Sequence, residues 1–377
     1  MHYLDNAATT LVPEAVVQAM ADALRHHCGN PSSQYPYGQD GKALADKGRA
    51  VIAGALGCRP ERLFFTSCGT ESDVWAIRSA AWHGRHRGRH IITTSVEHSA
   101  VLETCKWLEA EGYQVTYLKP DRTGMVSAQQ VMDALREDTV LVSVMLVNNE
   151  TGCVFPIEEI AKGLKARGSA ALLHCDAVQG FLKVACDPVQ WGVDLMSLSG
   201  HKLGGPKGIG ALYISEKLHN FRPLLPGGGQ EGGLRSGTEA TVQIAGFAKA
   251  VELRLENYDE KIRHMAEMKA LCLEKLLTIP GVVAVGGGTA PHILSVSLPG
   301  YPSSNIVNDL GSQGICISAG SACHKGKSSH VVSALGLDKR TAAGVIRLSF
   351  APETTAEDIE AVYEALKNHQ AQRCAML

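Results

Sequence analysis

The run Thr139-Val140-Leu141-Val142-Ser143-Val144-Met145-Leu146-Val147 constrains this chain more than any other stretch. It is too apolar to face water on either side, which predicts a strand buried between two layers. The pattern around it has the same sense. From about residue 61 to 215, strand-like runs at 62–66 and 91–95 alternate with helical stretches at 71–82, 100–111 and 157–167. Two further apolar runs follow, Ala171-Leu172-Leu173-His174-Cys175 and Val193-Asp194-Leu195-Met196-Ser197-Leu198. This alternation predicts an α/β layer fold, a mostly parallel sheet between helices. Sites in such sheets lie beyond the carboxyl ends of the strands, so residues just past each run are the first candidates.

With 377 residues the chain exceeds the size at which a single core keeps growing, and two domains are expected. Its character changes after about residue 250. A long polar helix is predicted over 250–277, short strands over 293–298 and 345–349, and a last helix opening at the capping-box pattern Thr354-Thr355-Ala356-Glu357. The expected division is a large domain over 15–250 and a smaller α+β domain built from 1–14 and 251–377.

A net charge of −2 argues against a general nucleic-acid or membrane surface. The basic cluster His83-Gly84-Arg85-His86-Arg87-Gly88-Arg89-His90 reads as a solvated loop before a strand. No apolar stretch reaches membrane-spanning length, and Met1-His2-Tyr3-Leu4-Asp5 lacks the features of a signal peptide, so a cytoplasmic location is expected. The eleven cysteines form no C-x-x-C pair, which fits neither a disulfide framework nor a zinc ribbon. Most read as small buried hydrophobes.

Ser199-Gly200-His201-Lys202 comes directly after one of the apolar runs, and Gly204-Gly205-Pro206-Lys207-Gly208-Ile209-Gly210 follows. A lysine at a strand mouth among small residues can form a Schiff base with an aldehyde cofactor. Alone it reads better as a solvated loop lysine. Asp176, however, ends another apolar run, where an acid can keep a pyridinium nitrogen protonated, as pyridoxal 5′-phosphate (PLP) requires. Ser67-Cys68-Gly69-Thr70 links a strand to a helix start. Free amides and the positive dipole end there suit a phosphate, although a plain N-cap is the commoner meaning. Ser199 and His201 are further phosphate candidates. His98 lies just past the strand at 91–95, where a ring can stack on a pyridine and move protons. Asn148-Asn149-Glu150 follows the most buried strand, and Gln179 is close enough to Asp176 to reach the same ring.

Cys323 stands apart from the other cysteines. Its neighbours, Ser318-Ala319-Gly320-Ser321-Ala322 before and His324-Lys325-Gly326-Lys327 after, are too small and polar to bury it, and the cations favour the thiolate. Arg347, on a predicted strand, suits a substrate carboxylate, and equally a structural role.

With these motifs the chain closely resembles the cysteine desulfurases of the IscS/NifS-like class, PLP enzymes of aminotransferase fold type I. The resemblance runs from Tyr3-Leu4-Asp5-Asn6-Ala7-Ala8-Thr9-Thr10 to Arg347-Leu348-Ser349. It includes Asn30-Pro31-Ser32-Ser33, Asp176-Ala177-Val178-Gln179, Gly227-Gly228-Gly229-Gln230-Glu231, Arg235-Ser236-Gly237-Thr238 and, most specifically, Gly320-Ser321-Ala322-Cys323. It implies that Lys202 carries the cofactor, that Asp176 and Gln179 hold its ring, that His98 stacks on it, and that Asn149 touches its phenolic oxygen. Gly69, Thr70, Ser199 and His201 would bind the phosphate. Thr238 would reach the phosphate of a partner subunit in a homodimer. Asn30 and Arg347 would hold the substrate carboxylate, and Cys323 would carry sulfur from L-cysteine to an acceptor protein or thiol. Three positions depart from the family pattern: Cys68 replaces a common glycine, Gly232 a common arginine, and Tyr35 a common histidine. A selenocysteine lyase or another fold type I enzyme, such as an aminotransferase, is the alternative reading.

Overall fold

The computed structural model describes residues 1–27, 29–219, 221–319 and 329–372. In chain order its strands are β1 (His2–Tyr3), β2 (Leu63–Thr66), β3 (His90–Thr94), β4 (Gln114–Leu118), β5 (Thr139–Ser143), β6 (Leu172–Asp176), β7 (Leu195–Ser199), β8 (Gly210–Ile214), β9 (Val283–Ala284), β10 (Ile293–Ser297), β11 (Ile315–Cys316), β12 (Ser318–Ala319) and β13 (Val345–Ser349). Seven of them form one sheet in the order β2-β8-β7-β6-β5-β3-β4. Only β8 runs against its neighbours; the pairs from β7 to β4 are all parallel. Helices Pro36–Ala55, Gly69–Gly84, Ser99–Ala110, Ile157–Ala166 and Thr241–Leu255 belong to this part of the chain. β3, β5, β6 and β7 are buried along their whole length. That burial explains why they read as continuous apolar runs with no alternation. This is the α/β fold the sequence predicts.

A second sheet, β12-β13-β10-β9, is antiparallel and packs its own core, including Leu294, Val296, Ile346 and Leu348, against helices Tyr258–Leu277 and Ala356–Gln372. The N-terminal residues belong structurally to this side. β1 pairs in parallel with β11, and Leu4 lies in the same core. Residues 5–13 then run back toward the larger sheet as a strap, where Thr10 N and Oγ1 donate to His201 O.

Three local expectations change. The run at 139–147 is a strand only to Ser143. Val144 and Leu146 still donate to His174 O and Asp176 O, and Val147 bridges Val154, so the run stays buried while the chain turns toward the site. The polar helix expected over 250–277 is two helices, Thr241–Leu255 and Tyr258–Leu277. Asn257 breaks them apart with φ 51°, a left-handed conformation that asparagine tolerates better than most residues. The last helix begins at Ala356. Its capping pair is Thr355 with Asp358, one residue later than expected: Thr355 N donates to Asp358 Oδ2 and Asp358 N to Thr355 Oγ1.

The loop after β8 is fixed from inside. Arg49 grips Glu231 with two hydrogen bonds of 2.6 and 2.7 Å, and Phe65 N donates to Glu231 Oε2 at 2.9 Å. Gly232 follows with φ 62°, where an arginine would carry backbone strain. Among the described residues no helix is long and apolar enough to cross a membrane.

Candidate active site

A cavity of about 360 Å³ opens beyond the carboxyl ends of β2, β3, β5, β6 and β7. It is lined by the strap at Ala7 and Ala8 and by residues that follow each of those strands. Parallel order and short connections bring them together, because every parallel strand delivers its next residues to the same edge of the sheet.

Lys202 ends the short 3₁₀ turn Gly200–Lys202 that continues β7. Its Nζ donates to Ala7 O at 2.8 Å and Ala8 O at 2.7 Å. Two neutral carbonyls therefore hold the amine, and among the described residues no carboxylate is bonded to it. Burial first, and the Arg347 charge second, push its pKa down to about 8.

Asp176, the last residue of β6, is buried and accepts from Val178 N at 2.9 Å. Asp73 and Glu97 lie near it electrostatically, and both are buried. Burial raises all three carboxyls, and the Asp176 charge raises Asp73 and Glu97 further. Glu97 is pushed up to about 8. The motifs missed Asp73 and Glu97, although Asp73 lines the cavity itself. Beneath this group the ring of His174 bonds Ser143 Oγ and Ser197 Oγ, and burial pushes its pKa down to about 3.

The turn into helix Gly69–Gly84 forms one wall. A Cβ on Gly69 would come within 2.7 Å of Val178 Cγ2, so only glycine lets this backbone lie so close to β6. Ser199 Oγ, across from it, is buried without a hydrogen-bond partner among the described residues. Thr70 is exposed toward the cavity. Ser67 is diverted: its hydroxyl and amide both engage Glu71, which pairs in turn with Arg235 at 2.9 Å. Cys68 stands at the N-cap position with no side-chain capping bond and lines the cavity. His201 bonds Thr9 Oγ1 at 3.2 Å, and burial, with Lys202 next, pushes its pKa down to about 4.

His98 lines the cavity from the start of helix Ser99–Ala110. Its Nδ1 accepts from Ala100 N, which leaves Nε2 to carry the ring proton. Gln179 donates to Ala7 O at 2.7 Å, and Asn149 shares the wall. Arg347 enters from β13. Its Nη1 donates to Asn149 O, its Nη2 to Asp5 Oδ1 and Ser318 Oγ, and its Nε is buried without a partner among the described residues. Ten predicted residues thus meet in one cavity: Gly69, Thr70, His98, Asn149, Asp176, Gln179, Ser199, His201, Lys202 and Arg347. Asn30 and Thr238 are exposed and do not line it; Asn30 Oδ1 accepts from Ser32 N in its own turn. Cys323 lies outside the described residues. The described residues on either side do border the site. Ser318 bonds Asp5 and Arg347, and Ser329 donates to Glu150 Oε1 at 2.7 Å.

These residues fit PLP. The orphaned Ser199 hydroxyl and the glycine cradle at a helix start offer donors for a phosphate, the buried Asp176 offers an acceptor for a ring N–H, and Lys202 offers an amine of lowered basicity. Fold and site together define a fold type I PLP enzyme. The class-V aminotransferase family matches residues 2–362. The cysteine desulfurase IscS of Methanosarcina thermophila is 41% identical over 97% of this chain and 90% of its own length. A NifS-like protein of known structure superimposes with a TM-score of 0.93 at 36% identity, covering 98% of this chain and 99% of that one. The structure of SspA in complex with cysteine gives a TM-score of 0.83 at 34% identity over 94% of this chain and 100% of that one. The chain belongs to the class-V aminotransferases and, within them, to the cysteine desulfurases of the IscS and NifS kind.

Proposed function

We propose that this chain removes sulfur from L-cysteine in the cavity under Lys202, leaving L-alanine and passing the sulfur through Cys323 to an acceptor. One observation carries the reading. An amine lowered to about pH 8, a buried acid and an open phosphate cradle face one another in a single cavity. The relative bound to cysteine supports the substrate.

PLP, when bound, supplies an electron sink for the substrate α-carbon. Lys202 would hold the cofactor, Asp176 the ring nitrogen's proton, and Gly69, Thr70, Ser199 and His201 the phosphate. Gln179 and Asn149 would fix the ring edge, and His98 would stack on its face. Arg347 would orient the substrate carboxylate, with Asn30 assisting once the site closes. Lys202 Nζ would move the substrate α-proton, with His98 as the other candidate base. Cys323 thiolate attacks the substrate sulfur. The carbon–sulfur bond breaks, the sulfur becomes the outer atom of a persulfide, and the carbon side leaves as alanine after protonation. Two thiols then release sulfide, restoring Cys323 and leaving one disulfide.

In the same reading, residues 15–250 form the cofactor-holding domain, and 1–14 with 251–377 the domain that brings Arg347 and Cys323. Exposure of Thr238 away from its own cavity supports a homodimer in which it serves the partner's phosphate. Cys323→Ser tests the reading. It is expected to keep the visible absorbance of bound PLP and its change on adding L-cysteine, and to lose sulfide release to a thiol. Full turnover in that variant would contradict the role of Cys323, and turnover dependent on a keto acid would favour an aminotransferase.

A further inference from the structure

A second cavity, about 470 Å³, lies across the N-terminal strap from the first. The strap is their common wall: Ala7 and Ala8 line the first cavity, and Asn6 and Thr10 line the second. Within it stands Arg254, from the last turn of helix Thr241–Leu255. The residue is only 7% exposed, and its Nη1 has no hydrogen-bond partner among the described residues. A buried guanidinium without a partner is costly, and such groups are retained where something else completes them. The nearest acid electrostatically is Glu353 on the same cavity wall, but it is exposed and forms no ion pair with Arg254 among the described residues. Lys261, also on the wall, turns its Nζ to Leu253 O. The remaining surface includes apolar Leu203, Ala250 and Leu253.

We propose that this cavity binds a small monocarboxylate, with its carboxylate on the Arg254 guanidinium and its apolar body against Leu203, Ala250 and Leu253. The charge pattern selects a single negative charge. Arg254 lines the cavity without an ion-pair partner among the described residues, Lys261 is turned to Leu253 O and Asp358 to His2, and the exposed carboxylate of Glu353 on the same wall would repel a multiply charged anion. A ligand there rests on the back of the strap whose front carbonyls hold Lys202.

The test uses the holoenzyme and three probes of one size: hexanoate, hexan-1-ol and hexylamine, titrated calorimetrically. Hexanoate is expected to bind saturably at one site per chain, at least tenfold more tightly than the alcohol or the amine. Arg254→Met should weaken hexanoate at least tenfold and melt no lower than the parent, because it removes an unpaired buried charge. Arg254→Lys should retain part of the affinity. Equal affinity for hexanoate and hexan-1-ol in the parent protein overturns the proposal whether or not the variants fold, as does hexanoate binding unchanged by Arg254→Met.

Discussion

Lys202 is held by two backbone carbonyls, and that arrangement sets its pH behaviour. A half-buried ammonium with no carboxylate bonded to it among the described residues loses its proton early, here at about 8 where an exposed lysine keeps it beyond 10. Only the neutral amine attacks an aldehyde. The rate at which cofactor-free protein captures PLP, followed by visible absorbance, should therefore rise with pH and level off near 8; continued rise to about 10 would contradict the burial argument. Lys202→Ala should show no such absorbance at any pH. Glu97 has the opposite sign. Its Oε1 accepts from Thr94 Oγ1 and Met145 N, its Oε2 has no partner among the described residues, and burial holds it protonated up to about 8. Between the usual carboxylate range and about 8 the folded state binds a proton that the unfolded state has lost, so stability falls as pH rises across that window. Glu97→Gln should remove a slope of roughly 1.4 kcal/mol per pH unit in denaturant melts between pH 5 and 8. Parallel profiles for the two proteins would contradict it. Neither Glu97 nor Asp73 is legible in the sequence, because an acid beside a helix start reads as solvated. Asp176 is legible because it directly follows an unmistakable apolar run, and Lys202 because it closes the small polar tetrad that follows another.

Individual elements deliver these residues to one edge. β6 and β7 end at Asp176 and Ser199, and the turns after β2 and β3 carry Gly69 and His98. The apolar runs at 62–66, 91–95, 139–147, 171–175 and 193–198 mark β2, β3, β5, β6 and β7, whereas β4 and β8 are not marked as strands in the sequence. Neither the antiparallel β8 nor the break at Asn257, which involves no glycine or proline, is marked in the sequence. The loop carrying Gly227 to Thr238 is anchored by the pair Arg49–Glu231, whose carboxylate also takes the Phe65 amide. Arg49→Met would strand that carboxylate in the interior. It should destabilise the protein by about 3–5 kcal/mol in chemical denaturation. A change below about 1 kcal/mol would show that Glu231 finds other partners or water.

At the scale of the whole molecule, the site exists because two sheets share one N-terminal strap. Residues 5–8 contact Arg347 and Ser349 from β13 on one side and Gln179 and Lys202 on the other, so the strap joins the antiparallel sheet to the cofactor-facing edge of the larger one. The motifs Asp5-Asn6-Ala7-Ala8 and Arg347-Leu348-Ser349 stand at opposite ends of the sequence, yet Ala7 N donates to Ser349 Oγ at 2.8 Å. No periodicity reveals that pairing, although the expected small domain already joins residues 1–14 to 251–377. Asn30 and Thr238, both exposed, do not line this cavity. The most direct test of the account is the product balance from L-cysteine, with the holoenzyme and a reducing thiol. Alanine and sulfide should appear in equal amounts, with one disulfide formed per sulfide. Sulfide without alanine, or a change of cofactor colour with neither product, would contradict desulfuration in this cavity.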